Sequence, residues 1–247
     1  MELHIRDGLT AAQGVALQVE AHSIQNLLRD GHRSIQDIRH IAASADSVFV
    51  LASIGVERAM KLLLGLGSLR DEGRWPPPSR ILGWGETLVE LDASLEDALA
   101  VSALVARHRD YSALLLDDHR SDRLWHPLVD VLDCYGPAHQ FSVVDRLAEV
   151  DDYWEAPLDS WNRFEFAILS HRPTLAEILT SPLEGLTGRR EISNEAARAL
   201  LRWWNLIHQF CAEGCFGERG TTLSAQLAPP GPESELTGTP VASPFAS

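Results

Sequence analysis

Three groups of residues have types and spacings that could do chemistry. Glu57, Arg58 and Lys61 are the only charges in VFVLASIGVERAMKLLLGLG, residues 48–67. Ionised groups in so apolar a stretch persist only when paired and hydrogen-bonded, and Glu57 precedes Lys61 by four residues, the favourable order for a helical ion pair. The three therefore read either as a structural network or as part of a ligand or partner site. His208, Cys211 and Cys215 fall at i, i+3 and i+7 on one helical face, where an imidazole and two thiolates would hold zinc if a fourth ligand came from elsewhere. Small cysteines in an apolar seam explain the same spacing without a metal, and no metal is expected. Residues 117–126, DDHRSDRLWH, offer Asp117, Asp118, His119 and His126, and read as a solvated loop leading into a helix.

Other chemistries lack their residues. There is no GxSxG elbow, and Cys134 precedes Tyr135 and Gly136 without an adjacent base. GLGSLR around Gly65 and Gly67 follows a helical pattern and not a strand, so it is no phosphate-cradling loop, and no nucleotide or other cofactor is expected. The formal net charge is −14, and residues 86–159 hold 17 acidic against 5 basic side chains, a net −12. That balance disfavours broad binding of duplex DNA, while a small arginine-lined cleft for RNA stays compatible with it. Three charges inside residues 48–67 would each cost roughly 2.5–3.5 kcal/mol on insertion, so no membrane span is expected. No leader-like pattern opens MELHIRDGLTAAQG, and three cysteines make no disulfide framework, so the expected location is the cytoplasm with reduced thiols.

The elements that must position these groups all have helical period; no run shows strand alternation or hairpin dipeptides. The fold expected is an all-α helical bundle. A first helix covers Thr10 to Arg29, stopped by Gly31. Ser34 with Asp37 opens a second, which runs toward the apolar helix of residues 48–67 with a kink expected at Ser44, Asp46 and Ser47. SLRDEGRWPPPSRILGWG is a loop that Trp75 and Trp84 fold back. Thr87 and Glu90 cap a helix with Leu88, Leu91, Leu95 and Leu99 inward, ending near Arg107–Arg109. Further helices are expected from Pro127 to Leu132, Ala138 to Glu149, Leu158 to Ser170, Thr174 to Leu179 and Ser193 to Cys215, the last with Leu200, Leu201, Trp204, Ile207 and Cys211 as its seam. Trp125, Trp154 and Trp161 are either core or interface anchors. Residues 1–216 read as one domain, with 1–44 as an N-terminal helical extension packed on it. Residues 217–247, rich in Pro, Gly, Ser and Thr, read as a disordered tail.

Over residues 45–217 the chain resembles the HEPN superfamily, helical domains of prokaryotic defence, toxin–antitoxin and RNA-processing systems. The likeness rests on SIGVERAMKLLL, on LGWGETLVEL and on LLRWWNLIHQF. It implies a homodimer, with protein contacts as the mode of action in a defence or regulatory pair. Catalytic members carry an arginine followed by four to six residues and a histidine, which the resemblance places on Arg202 and His208. It implies metal-independent RNA cleavage as the alternative function, with His208 as acid/base and Arg202 clamping the phosphate. The chain departs from the pattern twice: Gly85 is followed by Glu86 and Thr87 where a histidine is usual, and Trp203 replaces the polar residue after the arginine. By simple counting roughly two or three such arginine–histidine spacings arise by chance. The chain has three, the others being Arg33 with His40 and Arg120 with His126. Six residues also leave Arg202 and His208 about 120° apart around a helix; the resemblance implies a site formed across a homodimer, which would bring two copies of each residue together and relieve that spacing.

Overall fold

The structure, a computed structural model, describes residues 9–38, 41–85, 87–135, 157–181 and 184–231. These form ten helices and no strand. The helices expected over 138–149, with Trp154, and residues 232–247 lie outside the described residues.

Helix α1 (Ala11–Gln36) begins on a capping box, in which Thr10 Oγ1 accepts the Gln13 N–H at 3.2 Å and Gln13 Oε1 accepts the Thr10 N–H at 2.9 Å. It does not stop at Gly31. A β-carbon there would lie 2.8 Å from the backbone of Ala52, so the glycine serves the close crossing of α1 over α2 (Ile41–Glu72) instead of ending a helix. Ser34 is accordingly internal and Asp37 is the C-cap; α2 starts at Ile41 and runs without interruption through Ser44, Asp46 and Ser47 and on to Glu72. Gly65 is covered by the indole of Trp75, whose ring occupies the place where a β-carbon would stand. That contact folds the Pro-rich loop and the short α3 (Pro78–Leu82) back onto α2 as expected.

α2 is the central helix, packed on α1, α4 (Leu88–Ala103), α6 (Trp125–Asp133) and α10 (Gly217–Leu223). Thr87 and Glu90 form the expected capping box of α4, and Leu88, Leu91, Leu95 and Leu99 are all buried. The helix ends at Ala103, earlier than Arg107, and an additional helix follows, α5 (Arg109–Arg120). α7 (Pro157–Leu169) and α8 (Pro173–Thr180) match their expected spans within one residue at either end.

The long α9 (Gly185–Ala212) starts two turns before Ser193, whose hydroxyl bonds back to the Arg189 carbonyl at 3.2 Å inside the helix. Its buried side includes Trp203 and Trp204 as well as Leu200, Ile207 and Cys211. Trp203 stacks on Trp125, ring centres 4.8 Å apart and planes 7° from parallel, a contact worth about 0.5–1.5 kcal/mol beyond its area. Trp125 and Trp161 are both core residues. The Trp125 indole N–H is held by the buried Asp92 carboxylate at 3.0 and 3.1 Å.

Residues 217–231, expected to open a disordered tail, are instead part of the bundle. They carry α10, bury Leu223 and Leu227, and bind α9 and α1 through three carbonyls. Ser224 accepts from His208 Nδ1 at 3.0 Å, Leu227 from Trp204 Nε1 at 2.7 Å, and Ala228 from Gln25 Nε2 at 3.0 Å.

Candidate functional site

A cleft of about 580 Å³ opens where the C-terminal half of α5, the α5–α6 turn, the end of α7, the start of α8 and the middle of α9 meet. Leu115, Leu124, Ala167, Ile168 and Leu206 give it an apolar floor, and arginines, histidines and carboxylates crowd its rim. The stretch 117–126 thus belongs to a helix end and a turn that line this cleft.

Arg202 stands on its rim. The guanidinium is held by Asp122 in a two-point pair, Nε to Oδ2 at 2.8 Å and Nη2 to Oδ1 at 3.0 Å. Asp122 also accepts the Leu124 N–H at 3.0 Å, which fixes the carboxylate at the turn into α6. Arg172 donates to Glu191 at 3.1 Å and to Glu195 at 2.6 Å, and Arg198 bonds both carboxylates from the other side. The bonds from Arg172, with those from Arg198, hold the Glu191 carboxyl below its ordinary range. Arg123 differs, because its Nη1 meets His171 Nε2 at 2.5 Å. His171 Nδ1 faces the Ala167 carbonyl at 2.9 Å, and a carbonyl only accepts, so Nδ1 carries the ring proton and Nε2, in the neutral tautomer, accepts the Arg123 N–H. His119 leans over Trp125, ring centres 5.9 Å apart, and burial pushes its pKa down, keeping it uncharged.

His208 faces elsewhere. Its Nδ1–H is donated to Ser224, which leaves Nε2 unprotonated in the neutral ring. It borders a second groove, about 470 Å³, that Arg202, Asn205 and Pro229 also line. The two residues therefore share the edge of a groove, about 9 Å apart along α9 by helical rise, while the Arg202 guanidinium is drawn to Asp122. The zinc-spaced triplet does not converge: among the described residues no group of three or more His, Cys, Asp and Glu side chains is placed to hold a metal ion. Cys211 and Cys215 are fully buried, and desolvation raises the Cys211 thiol well above its ordinary range and pushes the Cys215 thiol up as well. Cys215 Sγ lies 3.7 Å from Ser112 Oγ.

The charged group of α2 is paired throughout. Lys61 Nζ bonds Glu57 Oε1 at 2.6 Å, and Arg58 reaches across to Glu20 of α1 at 2.7 and 2.5 Å. The Glu20 hydrogen bond holds the Arg58 guanidinium above its ordinary pKa. The Arg58–Glu20 pair bridges α1 and α2, the Lys61–Glu57 pair lies within α2, and all four side chains are partly buried and line neither groove.

Sequence reasoning missed Asp122, Arg123, His171 and Arg172. The available signal was the polar pair His171–Arg172 directly before Pro173, a helix-start proline, which marks a polar turn between two amphipathic helices. Compared with family models, with curated proteins and with solved structures, the chain matches none.

Proposed function

We propose that this chain is a non-catalytic helical interaction module that works by self-association through α1. The observation that carries this reading is a second apolar face on that helix. At 100° per residue the buried positions Leu17, Ala21, Ile24, Leu28 and Ile35 lie on one side. Ala12, Val15, Ala16 and Val19 fall within about 100° of one another on the opposite side, and all four are exposed, Val15 by 60% and Val19 by 64%. A solvent-facing stripe of this kind is the composition of a contact surface.

The occupant the charges favour is a second copy. A chain of net −14 repels itself, and two copies meet with least cost where the surface is neutral. α1 carries Glu20 and Asp30 against Arg29 and Arg33, and Glu20 is already satisfied by Arg58. Gln13 and Gln18 flank the stripe without charge. Two-fold packing would set small Ala12 and Ala16 against the valines of the mate, a self-complementary contact of about two turns. A seam of that length gives a concentration-dependent dimer. The defence or regulatory setting is what the HEPN resemblance adds to the proposal.

Sedimentation equilibrium tests it. Wild type should move from 27.3 kDa toward twice that mass as concentration rises, and Val15→Glu with Val19→Glu should hold it at the monomer mass with an unchanged circular dichroism spectrum. A wild type that stays monomeric at every concentration would remove the proposal.

One observation favours the alternative, RNA cleavage by Arg202 and His208: they share the edge of the second groove, and His208 Nε2 is free to act as a base. RNA integrity on induced expression separates the readings. Cleavage by wild type that is lost in Arg202→Ala with His208→Ala would establish the nuclease; intact RNA from both leaves the interaction module.

A further inference from the structure

The cleft between α5, α7 and α9 holds an arginine that no carboxylate among the described residues pairs. Of the three arginines on its rim, Arg202 is spent on Asp122 and Arg172 on Glu191 and Glu195. Among the described residues Arg123 meets no carboxylate; its bonded partner is the neutral His171 ring. A guanidinium carries five N–H donors in a planar fork, so most of this one is left for an acceptor outside the protein. The chain has 35 acidic residues against 21 basic ones, so a cation that goes without a carboxylate in a cleft is not for want of acids.

His171 acts here as a positioning residue. Its Nδ1–H is fixed by Ala167, and Nε2 then holds one arm of Arg123 at the rim. Leu124, Ile168 and Leu206 line the same cleft. The volume, about 580 Å³, falls in the range of roughly 300–1,000 Å³ typical of small-molecule sites. Asp118 also lines the cleft, and its carboxylate opposes a long polyanion such as RNA more than one small anionic group.

We infer that this cleft binds a small organic anion, a carboxylate or a phosphate monoester on an apolar body, with its charge on Arg123 and its body over Leu124, Ile168 and Leu206. The inference is independent of self-association through α1, which lies on other residues.

Calorimetric titration of the full chain with four probes tests it. Benzoate and phenyl phosphate carry both charge and body, benzyl alcohol the body alone, and inorganic phosphate the charge alone. At least one of the first two should bind saturably, and about tenfold or more tighter than benzyl alcohol and inorganic phosphate, as one charge-assisted contact implies. The tighter of the two identifies the head group. Arg123→Gln should weaken that binding about tenfold or more, Arg123→Lys should restore part of it, and Arg109→Gln, an exposed arginine that does not line the cleft, should leave it unchanged. Thermal melts of each variant establish that it is folded. Absence of saturable binding by both anions, equal binding of benzyl alcohol, or binding indifferent to Arg123→Gln would each overturn the assignment.

Discussion

Leu227→Ala asks whether residues 217–231 belong to the bundle. The Leu227 side chain is fully buried, its N–H bonds the Leu223 and Ser224 carbonyls at 3.1 Å each, and its own carbonyl holds the Trp204 indole N–H at 2.7 Å. Truncation to alanine leaves those backbone bonds possible and removes three carbons from the core. At about 0.8 kcal/mol per buried carbon the transfer loss is about 2.4 kcal/mol, and the unfilled space raises it to about 3 kcal/mol, inside the range of roughly 2–5 kcal/mol for such changes. For a chain of this size that lowers the melting temperature by about 6–12 °C. Urea unfolding followed by circular dichroism and by tryptophan fluorescence should give the same loss. Leu186→Ala supplies the comparison, since Leu186 is 71% exposed and its truncation should stay within about 0.5 kcal/mol of wild type. If Leu227→Ala is as silent as Leu186→Ala, the packing of this segment on α9 is wrong and the compositional reading of a tail from residue 217 is right.

Gly31→Ala should destabilise by about 1–3 kcal/mol, because its methyl meets the Ala52 backbone, whereas Gly67→Ala, with open space at its β-carbon, should stabilise by about 0.5–1 kcal/mol; chemical denaturation reads both signs. Burial raises the Asp92 carboxyl above its ordinary 3.8, outweighing the Trp125 hydrogen bond and the nearby His126 that lower it. The stability its neutral form contributes is therefore full below about 3.8 and lost as pH climbs through the raised native value. Wild type should gain on Asp92→Asn as pH falls through that window, and paired urea curves from neutral pH to pH 4 check it. Native protein treated with iodoacetamide at mildly alkaline pH should remain unmodified at Cys211 and Cys215, with both alkylated once urea is added; mass spectrometry of the peptides decides.

The readable parts of the fold were those written in local chemistry. Thr87 with Glu90 announces α4 because a capping box is a contact between near neighbours, and the four leucines behind it recur at helical period. Elements written in distant contacts were not readable. Gly31 has the look of a helix stop, and only the crossing of α2 reveals that it makes room for Ala52. Ser193 has the look of a helix start, yet it is turned back on Arg189 within a longer helix. α5 escaped because its buried face is thin, chiefly Ser112 and Leu116, between charged ends. Averaging over residues 217–247 diluted the short segment that carries Leu223 and Leu227. The cleft was illegible for a related reason: it is assembled from residues 115–124, 167–172, 195 and 202–206, and nothing local couples Arg123 to His171 or Asp122 to Arg202. The ion pair of Glu57 with Lys61 was legible because both ends sit on one helix, while the partner of Arg58, Glu20, lies on another.

Cysteine scanning of α1 tests the central claim most directly. Single cysteines replacing Ala12, Val15, Ala16 and Val19 are compared with cysteines replacing Gln13 and Gln18, which flank the stripe, under mild oxidation. A two-fold seam along the stripe predicts covalent dimers from those of the four stripe positions nearest the axis and little from the flanking pair, since a disulfide needs α-carbons within about 7 Å. Dimers formed equally from both sets, or from neither, would contradict self-association through this face of α1.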